Sequence, residues 1–316
     1  MSGVMTRKWG PAGRGNGPLP EVSLLPESPG VYRFRDDHGR ILYVGRARRL
    51  RRRVRSYWSD LSDRPRLSRM VPQIVRIEAL VCASDHEACW LERNLLEHSR
   101  PRWNRALGGA EVPRYLVIEA DRRTARIRLV HHPKEAPGQL IFGPYLGGTK
   151  VRLLAAALHR VHPIAYAVDG LTGAERDLGR IRGVEVADRD QLSRRLRAIL
   201  DGRPAAVATF LDQLARRRDE LAAQQSYELA GQVQEELTAA AWLLGDQRMA
   251  TLNGGDAELY GWHDGVLLQL STINGFVRRW QQRPCGQRRA AELIIGTPEP
   301  WQDFLQSNAE LAAALS

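Results

Sequence analysis

Two tyrosines near the start of the chain are spaced so that they could share one chemical site. Tyr32 lies in the run Gly-Val-Tyr, and Tyr43 lies in the run Tyr-Val-Gly. Residues 36–39, Asp-Asp-His-Gly, separate two alternating apolar runs, a pattern that predicts a β-hairpin. Such a hairpin would bring both phenols to one small area. The alternative is that the tyrosines only pack across the strands.

An arginine-rich segment follows the hairpin directly. Residues 46–55 read Arg-Ala-Arg-Arg-Leu-Arg-Arg-Arg-Val-Arg, and on a helix they would spread cations round the cylinder and direct several at the hairpin. Phenols beside guanidinium groups suit phosphate chemistry. The competing interpretation is a solvated, charged helix face.

The segments around these residues resemble the GIY-YIG nucleases, and among them the amino-terminal half of the UvrC excision-repair nucleases and their shorter Cho relatives. The stretch SPGVYRF…ILYVGRARRLRRRVRSYW carries the opening of the family pattern, and SDHEACWLERNLLEHSRPRWNRAL carries its close. Residues 142–163, FGPYLGGTKVRLLAAALHRVHP, resemble UvrC beyond the nuclease domain. The likeness covers most of residues 26–245.

The resemblance implies roles for individual residues. Tyr32 and Tyr43 match the site tyrosines, and Arg53 matches the phosphate-contacting arginine. Glu92 matches the metal-binding carboxylate, and Asn104 matches the asparagine that closes the site. The neighbouring arginines are expected to bind DNA: Arg48, Arg49, Arg51, Arg52 and Arg55.

Glu92 is the carboxylate that we expect to hold Mg²⁺ or Mn²⁺. Ser84 and Glu87 form a Ser-x-x-Glu capping box, which predicts a helix from about residue 85 to 98. Glu92 falls near or within the apolar face of that helix, where a carboxylate is costly to bury unless it is paired or metal-bound. An ion pair with Arg53 is the structural alternative, and both can hold together.

Arg46 stands where the family usually has a lysine. A lysine of lowered pKa could accept a proton, whereas a guanidinium stays charged. Arg46 therefore suffices if the position only stabilises charge, and activity would suffer if the position must relay a proton. A phenol, with an ordinary pKa of about 10, acts as a general base only beside cations, and spacing leaves open whether Tyr32 or Tyr43 does so.

Composition points to a polyanionic partner. The net charge of +11 and the isoelectric point of about 10.2 favour nucleic acid, because neutralising phosphates releases counterions. No apolar run approaches the roughly 20 residues of a membrane-spanning helix, and the start of the chain lacks a signal-peptide core. We therefore expect a cytoplasmic protein with no membrane partner.

The expected fold class is α/β (α+β), in five segments. Residues 108–200 should contain strands at Tyr115–Glu119 and Arg126–His131 and a helix capped by Thr149. The segments are a flexible amino terminus (1–22), a small GIY-YIG nuclease domain with a three-stranded sheet and flanking helices (23–107), a second α/β region (108–200), a helical hairpin (203–245), and a β-meander with a tail (250–316).

Two further expectations concern partners and cofactors. Ser226-Tyr227-Glu228-Leu229-Ala230 resembles the centre of the UVR motif, through which UvrC is thought to meet UvrB, but Gln234-Glu235 replaces the usual Arg-Asp pair. Residues 226–237 therefore either bind UvrB or pack within the chain. UvrC carries four cluster cysteines after the FGPY segment, whereas this chain has none between Cys89 and Cys285, so no iron–sulfur cluster is expected.

These features together predict a UvrC/Cho-like, metal-dependent, structure-specific DNA endonuclease. It would make a single incision in damaged or distorted duplex DNA during nucleotide excision repair. Two alternatives remain open. One is a non-catalytic module that binds DNA or a repair complex, and the other is a GIY-YIG nuclease that acts on branched DNA or RNA outside excision repair.

Overall fold

A computed structural model describes residues 17–59, 64–104, 112–121 and 123–316. Within these ranges the strands are β1 (Gly30–Arg35), β2 (Ile41–Ala47), β3 (Arg76–Val81), β4 (Arg114–Ala120), β5 (Ala125–Val130), β6 (Gln139–Tyr145), β7 (Ala257–His263), β8 (Val266–Ile273) and β9 (Phe276–Pro284). The α-helices are α1 (Leu50–Arg55), α2 (Pro65–Met70), α3 (Asp85–His98), α4 (Gly148–Val161), α5 (Gly173–Ile181), α6 (Arg189–Leu200), α7 (Pro204–Ala223), α8 (Tyr227–Leu243), α9 (Gln287–Ile294) and α10 (Glu299–Ala314).

The first sheet has the strand order β2-β1-β3 and is antiparallel throughout. The predicted hairpin is confirmed, with Tyr32 opposite Gly45 and Phe34 opposite Tyr43. Its turn is held by Asp36, whose carboxylate accepts hydrogen bonds from the backbone of His38 and Arg40. The predicted third strand and the predicted helix over residues 85–98 are also present, as β3 and α3.

Both faces of the first sheet are buried. Tyr32 and Phe34 point into a core that the segment after α1 completes, while Val31 and Val44 point into a second core shared with α3 and the third sheet. Alternate residues of a strand face opposite sides, so each strand contributes to both cores. This double burial holds β1 and β2 rigidly where the candidate site lies.

The second sheet has the order β5-β4-β6 and packs on α4. The two predicted strands are confirmed as β4 and β5, whereas β6 was not predicted. The predicted cap is wrong: α4 begins at Gly148, and Gly147 is its N-cap with a φ of 80°. Thr149 is the second residue of the helix. A left-handed backbone at the cap favours glycine over threonine.

The predicted helical hairpin is confirmed as α7 and α8. It packs on α4, and Glu236 of α8 accepts two hydrogen bonds of 2.7 Å from Arg160. Helical spacing in the sequence predicts an apolar stripe on α8 at Tyr227, Ala230, Val233, Leu237, Ala241 and Leu244. That prediction is partly wrong, because Tyr227 is 70% exposed and Ala241 is exposed. The buried side of α8 is instead formed by Ala230, Val233, Glu236, Ala239, Ala240 and Leu243.

The predicted meander is confirmed as the third sheet, of order β7-β8-β9. Its turns carry the positive φ angles that two-residue hairpin turns require, 42° and 85° at residues 264–265 and 51° and 79° at residues 274–275. The predicted tail is wrong, since α9 and α10 occupy most of it. Asn308 of α10 bonds the backbone N–H and C=O of Val81, so α10 covers the free edge of β3.

The amino-terminal prediction is partly wrong. Residues 1–16 lie outside the described residues, but Pro20–Leu24 form a 3₁₀ turn, and Val22 and Leu25 are buried in the core around Tyr32. Residues 105–107, the end of the predicted nuclease segment, also lie outside the described residues. In the described part of the chain, none of the helices has the length and apolarity to cross a membrane.

Candidate active site

The candidate site lies along the open edge of β2. β2 is an edge strand, so its outward backbone groups need partners other than a neighbouring strand. The Asn104 side chain accepts a hydrogen bond from Val44 N at 3.0 Å and donates one to Val44 O at 2.7 Å. The Glu92 carboxylate accepts one from Arg46 N at 3.2 Å. Asn104 and Glu92, which lie 60 and 46 positions from their partners in the sequence, thus bond to Val44 and Arg46 on the same edge of β2.

Three phenols, not two, form the aromatic part of the site. The ring centroids of Tyr32 and Tyr43 lie 6.2 Å apart, as the hairpin predicted. Tyr57, which was not predicted, follows α1 and places its hydroxyl 2.7 Å from that of Tyr32. Arg53 donates a hydrogen bond of 3.4 Å to the Tyr57 hydroxyl. The sequence feature that could have identified Tyr57 is its i, i+4 spacing from Arg53, because this spacing puts both residues on one helix face.

Gly45 makes the close packing of the phenols possible. A Cβ atom at this position would lie 2.6 Å from the hydroxyl of Tyr32 and 2.6 Å from Cε1 of Tyr43. Both distances are too short for any side chain. The glycine of the second motif is therefore required by the two tyrosines that approach it.

Burial stabilises the protonated form of Tyr32 and of Tyr57. Burial raises the pKa of Tyr32, and the neighbouring Tyr43 adds to the rise, which the positive charge of Arg53 only partly offsets. Burial also raises the pKa of Tyr57, again with Tyr32 and Tyr43 adding to it. Tyr43 is only half-buried, and it is the phenol of the three with the most contact with solvent.

Glu92 pairs with Arg46, and not with Arg53, the partner named in the structural alternative to metal binding. The Nε atom of Arg46 lies 3.0 Å from Oε2 of Glu92. The reason is that Arg46 belongs to β2 itself, and α3 runs past that end of the strand. Burial raises the pKa of Glu92, and the charge of Arg46 opposes the rise without cancelling it.

The surroundings of Glu92 fit a hydrated divalent cation. Its side chain is 24% exposed, so solvent reaches the carboxylate. No group of three or more His, Cys, Asp or Glu side chains suited to a metal occurs among the residues that the structure describes. Glu92 would hold such a cation, whose remaining ligands would be mainly water and phosphate oxygens, as is common for Mg²⁺.

The arginine segment is less helical than predicted. The helix α1 starts only at Leu50, so Arg46 lies in β2 and residues 48–49 precede the helix. The side chain of Arg48 lies 3.2 Å from Asp85, and that of Arg51 donates to Leu25 O at 2.6 Å. The arginines that the sequence predicts to bind DNA all face solvent: Arg48, Arg49, Arg51, Arg52 and Arg55.

Comparison with known proteins finds the same domain. Residues 28–105 match the UvrC-like GIY-YIG domain family. A solved structure, the GIY-YIG N-terminal endonuclease domain of UvrC from Thermotoga maritima bound to its catalytic divalent cation, magnesium, is 35% identical. That match covers 27% of this chain and 92% of the solved chain, with a TM-score of 0.25.

Curated relatives extend the similarity beyond this domain. The UvrABC system protein C of Chlorobaculum tepidum is 36% identical over 163 residues, which is 51% of this chain and 26% of that protein. The protein of the same name from Corynebacterium aurimucosum is 28% identical over 315 residues, 90% of this chain and 45% of the relative. The chain thus spans less than half the length of these relatives. Through its residues 28–105, the chain belongs to the UvrC-like GIY-YIG family.

Proposed function

We propose that this chain is a divalent-metal-dependent, structure-specific DNA endonuclease that makes a single incision in nucleotide excision repair. The observation that carries the proposal is the meeting of Glu92, Asn104 and the phenol cluster at the open edge of β2. A single incision follows from the one such site in the described residues. The exposed arginines of residues 48–55 would hold the DNA backbone.

Arg53 is the proposed partner of the scissile phosphate. Its guanidinium lies beside the phenols and donates to Tyr57, which leaves further N–H groups for phosphate oxygens. A fixed cation at this point stabilises the charge that grows on the phosphate in the transition state. Tyr57 would orient Arg53, and Asn104 would hold β2 in place.

Tyr43, as the phenolate formed after its own proton has left to solvent, is the proposed proton acceptor for the attacking water. Tyr32 and Tyr57 share a hydrogen bond, and burial raises the pKa of each, so neither readily gives up its proton. Tyr43 has the access to solvent that the reaction requires. Arg46 would act as a fixed positive charge, because a guanidinium does not relay protons. A Mg²⁺ or Mn²⁺ ion at Glu92, when bound, would supply charge for the leaving oxygen.

The role of Tyr43 is tested by Tyr43→Phe. Loss of a general base should lower the single-turnover cleavage rate by about a hundredfold or more. Tyr145→Phe, which removes a buried phenol from the second sheet, is the matched control and should cleave normally. Equal rates for Tyr43→Phe and the wild-type chain would exclude Tyr43 as the base.

Residues 226–237 are the proposed contact with UvrB. One side of α8 is already buried against α4, so the contact would use exposed residues at the start of the helix, where Tyr227 is 70% exposed and Leu229 is 46% exposed. Exposed apolar side chains of this kind suit a protein interface. The double variant Tyr227→Ala, Leu229→Ala should lose co-purification with UvrB and keep the chain folded. Unchanged co-purification would refute this contact.

The substrate assay decides the proposed function. Lesion-bearing, nicked and branched duplexes should be incubated with the chain in Mg²⁺ or in EDTA, each with and without UvrA and UvrB. We expect one incision, in the lesion-bearing duplex. It should require the metal, and its rate should increase when UvrA and UvrB are present. Cleavage confined to branched DNA would place the enzyme outside excision repair. Binding without any cleavage would indicate a non-catalytic module.

A further inference from the structure

Arg46 lies between two carboxylates of α3. Its Nε atom lies 3.0 Å from Oε2 of Glu92, and its Nη1 atom lies 3.5 Å from Oδ1 of Asp85. Asp85 is the first residue of α3 and stands seven residues, or two turns, before Glu92, so both carboxylates lie on one face of the helix. The guanidinium is therefore shared between two acceptors.

Asp85 is itself fixed by the helical hairpin. Trp242 of α8 donates a hydrogen bond from its indole nitrogen to Oδ2 of Asp85 at 2.8 Å. The Trp242 ring is held in turn by Lys150, whose Nζ lies 4.5 Å from the ring centroid, and by His86, whose ring centroid lies 4.5 Å away. The orientation of the Asp85 carboxylate thus depends on the packing of α8 and α4, together with Arg48, whose Nε atom lies 3.2 Å from the same Oδ2.

A divalent cation at Oε2 of Glu92 would compete with Arg46 for that oxygen. The guanidinium is paired with Oε2 and cannot become neutral, so repulsion by the bound cation would push it toward another anion. Asp85 is already in contact with it. If the guanidinium moves fully onto Asp85, it keeps an anionic partner. It also moves away from the positive charge of the divalent cation.

We propose that Asp85 is a positioning residue that takes over the Arg46 guanidinium when Glu92 binds a divalent cation, and that Trp242 holds Asp85 ready for this. The helical hairpin thereby sets the affinity of the candidate site for its cation. The inference rests on the proposed function only in taking Glu92 as the metal ligand. A favourable interaction of Asp85 with the dipole of α3 would also explain an acid at this position, but it would give Trp242 no influence on metal binding.

The test measures Mn²⁺ binding to the full chain directly, by calorimetry and by the electron paramagnetic resonance signal of free Mn²⁺. Asp85→Asn should weaken binding by about tenfold, a typical cost of losing a residue that orients a metal site. Trp242→Phe, which changes no charge, should weaken it by roughly threefold, a modest coupling between neighbouring groups. Trp262→Phe is the matched control, since it removes an indole N–H that donates to Cys285 O at 2.7 Å in the third sheet. It should bind Mn²⁺ like the wild-type chain.

A double-mutant cycle separates the takeover from simple attraction between Asp85 and the cation. In the Arg46→Ala background there is no guanidinium to move, so Asp85→Asn should change Mn²⁺ affinity by less than about twofold. An equal loss in both backgrounds would overturn the proposal, as would identical binding by Trp242→Phe and Trp262→Phe. If the wild-type chain cleaves DNA and binds Mn²⁺ but Asp85→Asn binds it equally well, the inference fails while the proposed function stands. A wild-type chain that neither cleaves nor binds Mn²⁺ contradicts both.

Discussion

The first and second sheets share one topology but differ in chemistry. Each is a three-stranded antiparallel sheet whose earliest strand lies in the centre, β2-β1-β3 in one and β5-β4-β6 in the other. Each is followed by a helix of 14 residues, α3 or α4. Strand order alone therefore does not create the candidate site.

The difference lies in what the strands carry and how charges are paired. In the second sheet, Glu119 lies 2.6 Å from Arg126 and 2.7 Å from Arg128, and the hydrogen bond from Arg126 holds its pKa below the usual range. Beside the first sheet, on α3, burial keeps the pKa of Glu92 above its usual range although Arg46 is its partner. Glu119 is stabilised in its charged form, while Glu92 is held at a cost that a cation can relieve.

The largest expected effect is the difference between substitutions at Glu92 and at Glu119. Glu92→Gln should lower the single-turnover cleavage rate by about a thousandfold, because a metal ligand is lost, while DNA binding is kept. The matched variant Glu119→Gln in the second sheet should cleave at the wild-type rate. Both are measured with one labelled duplex at saturating Mg²⁺ and DNA. Similar cleavage rates for the two variants would show that Glu92 and Glu119 do not differ in their role in cleavage.

The packing of the phenols predicts a smaller loss. Gly45→Ala should force Tyr32 and Tyr43 apart, which lowers cleavage by about a hundredfold and the free energy of unfolding by roughly 1–3 kcal/mol. Gly231→Ala on α8 is the control, since an added Cβ there meets nothing within 4 Å. It should cleave normally and gain stability. Chemical denaturation and single-turnover kinetics check both values, and a fully active Gly45→Ala would show that the phenol spacing is unimportant.

Arg53 should matter more to rate than to binding. Arg53→Ala should slow cleavage at saturating DNA by at least about tenfold, since it removes charge beside the scissile phosphate. Arg52→Ala, an exposed neighbour on α1, should weaken DNA binding and make it less sensitive to salt without changing that rate. If both variants slow turnover equally, Arg53 is only part of a general basic surface.

The smallest effect concerns stability in acid. Burial lowers the pKa of His86 on α3, and of His162 after α4, to about 4. The folded chain therefore binds fewer protons than the unfolded chain between pH 6.5 and 4, and the free energy of unfolding falls as the pH drops through that window. Each histidine should account for at most about 3 kcal/mol.

Denaturation curves at pH 7 and pH 4.5 test this. His86→Leu and His162→Leu should each reduce the loss of stability between these two pH values. A loss that neither variant changes would show that other groups cause the acid sensitivity.

Much of the first sheet could be predicted because its signals are local. The turn at residues 36–39 and the alternation around it specify the hairpin, and the Ser84 cap marks the start of α3, where Ser84 accepts a hydrogen bond from Glu87 N. In a complete capping box the Glu87 side chain would accept a hydrogen bond from the backbone N–H of Ser84. Here Glu87 accepts from the backbone N–H of Ala83 instead. Local signals also identified the helical hairpin and, through the Asp-Gly and Asn-Gly pairs at residues 264–265 and 274–275, the two turns of the meander.

The contacts that assemble the site could not be predicted because they are tertiary. The pairing of Asn104 with Val44 joins residues 60 positions apart, and the Trp242–Asp85 hydrogen bond joins residues 157 positions apart. Periodicity carries no information on such pairs. The helix α10 is different, since Phe304, Leu305, Asn308, Ala309 and Ala312 are buried at helical spacing. That pattern predicts an amphipathic helix, so the sequence did contain the signal for α10.

The most direct test of the central claim locates the metal. Fe²⁺ in place of Mg²⁺, with ascorbate and hydrogen peroxide, generates hydroxyl radicals that cut the polypeptide beside the bound ion, and mass spectrometry maps the cuts. The account predicts cuts near residues 43–46 and near Glu92, which Mg²⁺ suppresses and Glu92→Gln abolishes. Cuts confined to the second sheet, residues 114–145, or cuts unchanged in Glu92→Gln, would contradict it.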